Sequence, residues 1–362
     1  MVTALIVILI LGFLVIVHEF GHFLAAKKFG VWVEEFGIGL PPKIWSKKIG
    51  ETLYSLNSLP IGGFVKIYGE NEAEFELPDK KDQPIDKNRA FIYKPVWQKL
   101  IIVFCGVLTN FLIGFLILWF LFASGSQAAI TSENKNFAEN IRVAIVETLK
   151  DTPAQNAGLK AGDYILKLKT SQEEIKPLTT TEVQNFISQN NDKEIEIIVQ
   201  RNNEELSFYA TPVDNKIGIA LAEVGMVKYP FFQAAGIAFK QSLQTSVYIF
   251  QALIEVFSNI FTKGDFTGVS GPVGVASYVS QAREMGIKSL LSLISLISLN
   301  LAVFNLLPLP ALDGGKALLI LIGKISKKPI SPKVEIITNA ISMAFLLILF
   351  VIITYLDIQR LI

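Results

Sequence analysis

The chain has 362 residues, of which 51% are hydrophobic, with a mean hydropathy of +0.46 and a formal net charge of +1. That is too apolar for an ordinary soluble protein and points to the membrane, while so small a net charge leaves no electrostatic case for a nucleic-acid partner. A single cysteine, Cys105, rules out an internal disulfide, and the only two histidines, His18 and His22, lie within five residues of each other.

Four apolar stretches, residues 2–26, 100–122, 290–309 and 336–355, each reach the ~20 residues of helix needed to cross a hydrocarbon core. The first lacks a basic leader and a small-x-small cleavage site, so it reads as a retained span rather than a secretory signal. Lysines crowd residues 27–99 (Lys27, Lys28, Lys43, Lys47, Lys48) and the segment after the third span (Lys316, Lys324, Lys327, Lys328, Lys333). The positive-inside rule then makes both loops cytoplasmic and puts both termini and residues 123–288 outside. Residues 51–69 read as strands punctuated by Pro60, Gly62 and Gly63, and the charged residues 70–89 as a flexible loop.

Within the outer stretch, residues 141–146 alternate like a strand. Gly158 and Gly162 mark turns before another strand, residues 179–190 read as a helix capped at Thr179 or Thr180, and 194–201 and 205–212 as two closing strands. The fold expected is therefore a polytopic α-helical membrane protein of about four spans, with a membrane-associated β-hairpin and one inserted outer β-rich domain. Its sections are 1–122 (membrane region with hairpin and second span), 123–215 (inserted domain), 216–287 (amphipathic helix and an SGPVG linker) and 288–362 (C-terminal membrane region). Residues 231–262 could be a fifth span or a helix lying on the outer face.

His18-Glu19-Phe20-Gly21-His22 falls in the first span. Positions i and i+4 share a helix face, so both imidazoles can ligate one Zn²⁺, with Glu19 beside them to deprotonate a water. Ionisable groups inside a membrane helix are costly and usually functional. A third protein ligand must be a carboxylate or Cys105. Asp313, in LLPLPALDGG, is the best candidate, because Pro308 and Pro310 forbid regular helix there and unwound backbone at membrane depth lines a cavity or is buried in protein. On the residues alone, Asp313 as ligand and Asp313 as the cap of a following helix weigh equally. If it is a ligand, spans one and three must run in the same direction, and residues 231–262 cannot make a single extra crossing; they are expected outside or on the outer surface.

HEFGH on the first span and NLLPLPALDGG near the third resemble the two signatures of the site-2 protease family (peptidase M50). SGPVGVA at 270–276 and PAQNAGLKAGDYIL at 153–166, which resembles the core of a PDZ domain, are similar to the bacterial regulator-of-sigma-E (RseP-type) branch. The resemblance covers nearly the whole chain. It implies a zinc endopeptidase of a bacterial inner membrane that cleaves within the bilayer, with His18, His22 and Asp313 as ligands, Glu19 as catalytic acid/base, and the active site near the cytoplasmic face. It also implies that Asn300, Asn305, Pro308 and Pro310, with Gly62, Gly63 and Phe64 of the hairpin, hold the substrate strand. The implied partners are the lipid bilayer, single-span membrane proteins (an anti-sigma factor or signal-peptide remnants), and a peptide C terminus or extended segment at the PDZ domain. One departure is CGVLTNF, where Val107 stands in place of the family's usual proline while Gly106 and Asn110 match. A non-catalytic membrane scaffold presenting a PDZ domain, and a transporter using midplane charges, are the readings from other classes; the intact HExxH and the concentration of charge at two points weigh against them.

Overall fold

The computed structural model describes residues 2–70, 86–201, 204–266, 269–326 and 331–361, so most of the charged loop expected at 70–89 lies outside the described residues. The chain divides into two units, one formed by residues 1–119 and 236–362, the other by 120–235.

In the first unit, α1 (Val2–Lys28) is followed by β1 (Val33–Ile49), β2 (Thr52–Ile67) and α2 (Val96–Ser124). The C-terminal part holds α5 (Phe231–Lys263, which begins in the other unit), α6 (Pro272–Glu284), α7 (Ile287–Asn305), α8 (Asp313–Ser326) and α9 (Pro332–Leu361). Four of the described helices, α1, α2, α7 and α9, are long and apolar enough to cross a membrane, and the chain is a multi-pass membrane protein. α5 is not one of them, although Phe239 packs edge-on against both Phe111 and Phe115 in the middle of α2.

Small and polar residues set the helix crossings, as expected where lipid offers no hydrophobic drive between helices. Ser295 and Ser298 of α7 donate hydrogen bonds at 2.7 Å to the carbonyl oxygens of Gly114 and Asn110 of α2. Rising numbers on α7 thus meet falling numbers on α2. His18 and His22 of α1 meet α2 in the same opposed sense, at Asn110 and Ile102. So α1 and α7 run in the same direction, as a shared metal site requires. α2 passes through Val107 as continuous helix, so the missing proline leaves no break.

The hairpin is larger than the sequence indicated, because its first strand begins at Val33 and not near residue 51. Lysines and Pro41-Pro42 in 33–49 disguise it as a loop. Phe36 has Val65 as Cα partner on one side and Tyr54 on the other, so residues 33–40 form the interior of a folded ribbon and 59–67 form one edge. α6 was likewise read as linker; Pro272 in its first turn, where a missing N–H costs nothing, starts it. Its N-terminus is held by Asp357 of α9, whose Oδ2 accepts from the N–H groups of Gly271 (2.9 Å) and Gly274 (2.8 Å).

The second unit is built on a 7-stranded antiparallel sheet of order β3-β9-β4-β5-β7-β8, with β6 paired to β5. Its strands are β3 (Ser126–Ala129), β4 (Ala138–Thr148), β5 (Tyr164–Lys169), β6 (Glu174–Ile175), β7 (Ile195–Arg201), β8 (Glu204–Ala210) and β9 (Ile219–Val227). α3 (Pro153–Ala157) and α4 (Thr180–Gln189) complete it, and Thr179 caps α4 by accepting from Glu182 N–H at 3.2 Å. Val143, Leu168, Val183, Phe186 and Ile197 belong to its core. The sheet runs past residue 215: β9 lies between β3 and β4, so residues 219–227 belong here rather than to a linker.

Candidate metal centre

About one turn of α1 separates His18 from His22 and puts them on one face, both only 8% exposed. The chain returns to them at the end of α7. There residues 306–312 leave the helix in tight turns closed by Leu309 N–H to Leu307 O and Leu312 N–H to Leu309 O, both 2.8 Å, and α8 starts at Asp313. Gly314 and Gly315 make this fold-back possible, because a Cβ at either would overlap the carbonyls of Leu306, Leu307 or Leu309. Asp313 therefore does both things that its sequence context allowed: it opens a helix, and it faces the two imidazoles.

The three donor atoms form a small triangle. His18 Nε2 lies 3.0 Å and His22 Nε2 3.4 Å from Asp313 Oδ2, and the two Nε2 atoms are 3.1 Å apart. The edges of a tetrahedron with metal–ligand bonds of 2.0–2.1 Å are about 3.3 Å. His22 Nδ1 lies 2.9 Å from the carbonyl oxygen of Ile102, which can only accept, so the ring's proton sits on Nδ1 and a lone pair on Nε2 faces the cluster. Asp313 Oδ2 is buried with no donor hydrogen-bonded to it. A lone pair and a buried carboxylate oxygen facing the same small space call for a cation, and two imidazoles with one carboxylate suit Zn²⁺ with a position left open. Among the described residues, no other group of three histidine, cysteine or acidic side chains is placed to hold a metal.

Glu19, HExxH's central acid, lines the same cavity of about 460 Å³ as His18, His22, Asn110, Asn305 and Asp313. Its Oε2 accepts a hydrogen bond from Val65 N–H at 3.0 Å, so β2 fixes it from the side. Of β2, Val65 and Ile67 line this cavity, whereas Gly62, Gly63 and Phe64 line neither it nor the adjoining one. Gly63 runs beside Ile16 and Glu19, and Gly62 beside Val15. The Phe64 ring instead covers Gly37 across the ribbon, where an added Cβ would strike it.

The other expected residues divide. Asn305 lines the main cavity and Pro310 an adjoining one of about 380 Å³, whereas Pro308 and Asn300 are exposed and line neither. Cys105 is not one of the three donors. Two features were not read from the sequence, and for a third, Gly106, only the match to the family was, not its role. Val65 acts through its backbone, which no side-chain motif reports. Glu70 and Lys316 pair where the two cavities meet, with Lys316 Nζ 5.0 Å from the centroid of the Phe91 ring. Gly106 lets α2 approach the imidazoles; a Cβ there would overlap His22 Nε2 and lie 2.8 Å from His18 Cε1.

Fold and site together define a multi-pass membrane metallopeptidase dependent on zinc. Residues 6–349 match Peptidase family M50, and the chain belongs to that family. It is similar to a Clostridium perfringens protein whose name includes "zinc metalloprotease", 32% identical over 95% of each chain. It is also similar to the regulator of sigma-W protease RasP of Bacillus subtilis, 29% identical over 99% of each chain.

Proposed function

We propose that the chain is an intramembrane endopeptidase that cleaves the membrane-spanning segments of single-span proteins at a bacterial cytoplasmic membrane. The observation that carries this reading is the convergence of His18, His22 and Asp313 on one point beside Glu19, in a cavity built from membrane helices. His18, His22 and Asp313 hold the zinc. When bound, zinc supplies Lewis acidity that polarises a scissile carbonyl and acidifies an attacking water. Glu19 accepts that water's proton and returns it to the leaving amide nitrogen as the C–N bond breaks, giving a carboxylate and an amine with no covalent enzyme intermediate. The hydrogen bond from Val65 holds the Glu19 carboxylate in the cavity that the three donors also line.

A helical substrate hides its amides in internal hydrogen bonds and must unwind before attack. The β2 edge through Gly62, Gly63 and Phe64, which pairs with residues 33–40 on one side only, would take an unwound segment as an added strand next to Glu19. Asn305 and Pro310, which line the two adjoining cavities, support the other side. The sheet of the second unit is compatible with a PDZ domain, which would take a peptide C terminus or extended segment outside the membrane. Lysine placement supports the active site near the cytoplasmic face, with both termini outside.

A relative named as a regulator of sigma-W protease favours a regulatory membrane protein, such as an anti-sigma factor, as substrate. Clearance of signal-peptide remnants would use the same residues. The test is cleavage of a purified single-span substrate in proteoliposomes by wild type, Glu19→Gln and Asp313→Asn. Cleavage by Glu19→Gln at the wild-type rate would defeat the proposal.

A further inference from the structure

We infer that Asn110 is a positioning residue for this centre: its side-chain oxygen accepts a hydrogen bond from His18 Nδ1–H and holds that imidazole with its Nε2 lone pair toward the metal. The inference rests on the reading of His18, His22 and Asp313 as the zinc site, and concerns a side chain that touches none of the reacting atoms.

Three observations converge on it. Asn110 is 1% exposed, inside a membrane helix, where an amide is costly unless its groups are matched. Its amide end lies 3.4 Å from His18 Nδ1 with nitrogen facing nitrogen, while its Oδ1 is buried without any partner. And His18 Nε2 belongs to the donor triangle, 3.0 Å from Asp313 Oδ2.

Tautomer chemistry joins them. A neutral imidazole carries one proton; when Nε2 gives its lone pair to a cation, that proton sits on Nδ1, which must then donate. An NH₂ group facing it is mismatched, and an oxygen is matched. An amide presents either end after a half-turn of the side chain. That half-turn removes the mismatch at His18 and gives the oxygen a donor there, with the NH₂ taking the place Oδ1 now holds.

His22 shows the same logic already satisfied, since its Nδ1 faces the Ile102 carbonyl at 2.9 Å. One helix, α2, thus supplies the outer partner of both imidazoles, from positions 102 and 110 of one stripe. Position 110 is itself fixed to α7 through Ser298, whose hydroxyl donates to the Asn110 carbonyl at 2.7 Å. α1 brings the imidazoles and α7 leads into Asp313, so Asn110 lies at the junction that sets their spacing.

The test compares Asn110→Leu, which keeps the branched shape but removes the acceptor, with Asn110→Asp, which keeps an acceptor. The full chain, purified in detergent, is titrated with zinc against a chromophoric chelator, and unfolding of the metal-free chain is followed by heat. Outer partners of metal-bound histidines are worth about 10–100-fold in metal affinity. Asn110→Leu is expected to lose affinity by that factor with an unchanged metal-free unfolding midpoint, while Asn110→Asp stays within a few-fold of wild type. Wild-type affinity in Asn110→Leu overturns the inference. So does an equal loss in both variants, which would mean that shape and not an acceptor matters at 110. A wild-type chain that takes up no zinc, or a His18→Ala chain that takes it up normally, would instead overturn the site reading on which this one rests.

Discussion

The narrow gap between α2 and the HEFGH turn gives a sharp test, because it is set by one missing methyl group. In Gly106→Ala, the new Cβ would lie 2.6 Å from His22 Cε1 and 2.8 Å from His18 Cε1, and closer still to His22 Nε2. Unstrained carbon–carbon contacts sit at about 3.5–4.0 Å, so the two rings must retreat by roughly 0.7–0.9 Å or the helices must part. A metal site tolerates departures of only about 0.2 Å in ligand distance. Overpacking of a tight interior costs about 1–3 kcal/mol, and if the centre bears that cost, zinc affinity falls about 5–150-fold. The assay is zinc competition with a chelator on the purified full chain, paired with peptidase activity. Gly236→Ala, whose Cβ meets nothing within 4 Å, serves as the control and is expected to bind like wild type. If Gly106→Ala holds zinc and cleaves as wild type does, α2 does not press on the imidazoles as described and the argument from close approach is wrong.

Other outcomes follow from the same contacts. Glu19→Gln is expected to retain zinc while its cleavage rate drops by about 10²–10⁴, measured by metal analysis and turnover on one preparation. Asp313→Ala is expected to lose the metal as well as activity, since two imidazoles alone make a poor zinc site. In the sheet unit, Asp163 is 1% exposed and takes Arg201 at 2.6 and 2.7 Å, while Arg201 also donates to the Gly158 carbonyl at 2.9 Å and its own pKa is raised by that carboxylate. Asp163→Ala should destabilise this unit by about 2–3 kcal/mol, discounted because Arg201 is partly exposed, and should show as faster proteolysis within residues 120–235. Asp357→Ala strips the acceptor from two N–H groups at the start of α6 and should lower thermal stability by about 2–4 kcal/mol without changing zinc affinity at the distant cluster.

Much of the site could be read from residue types at fixed spacing. His18 and His22 had to share a face once residues 2–26 were helical, and Glu19 lay between them. The four spans followed from apolar length alone, with ends shifted by a few residues; the third stops at Asn305 because Pro308 and Pro310 cannot continue it. The strand 33–49, the helix at Pro272–Glu284 and the last strand of the sheet, Ile219–Val227, were missed. Each is defined more by its neighbours than by its own pattern: a Lys- and Pro-bearing strand is stable as part of a folded ribbon, and β9 is held between β3 and β4.

Sequence by itself determined that this is a membrane protein with one pair of metal-competent imidazoles and an acid between them, because helix period and hydropathy are local properties. Only tertiary structure decided that Asp313, 291 positions after His22, is their partner rather than merely the cap of α8. It alone assigned Val65 N–H to Glu19, and Ile102 and Asn110 to the two imidazoles. Those contacts join backbone groups and side chains far apart in the chain, and their geometry depends on how closely two helices cross, which no single stretch of residues encodes.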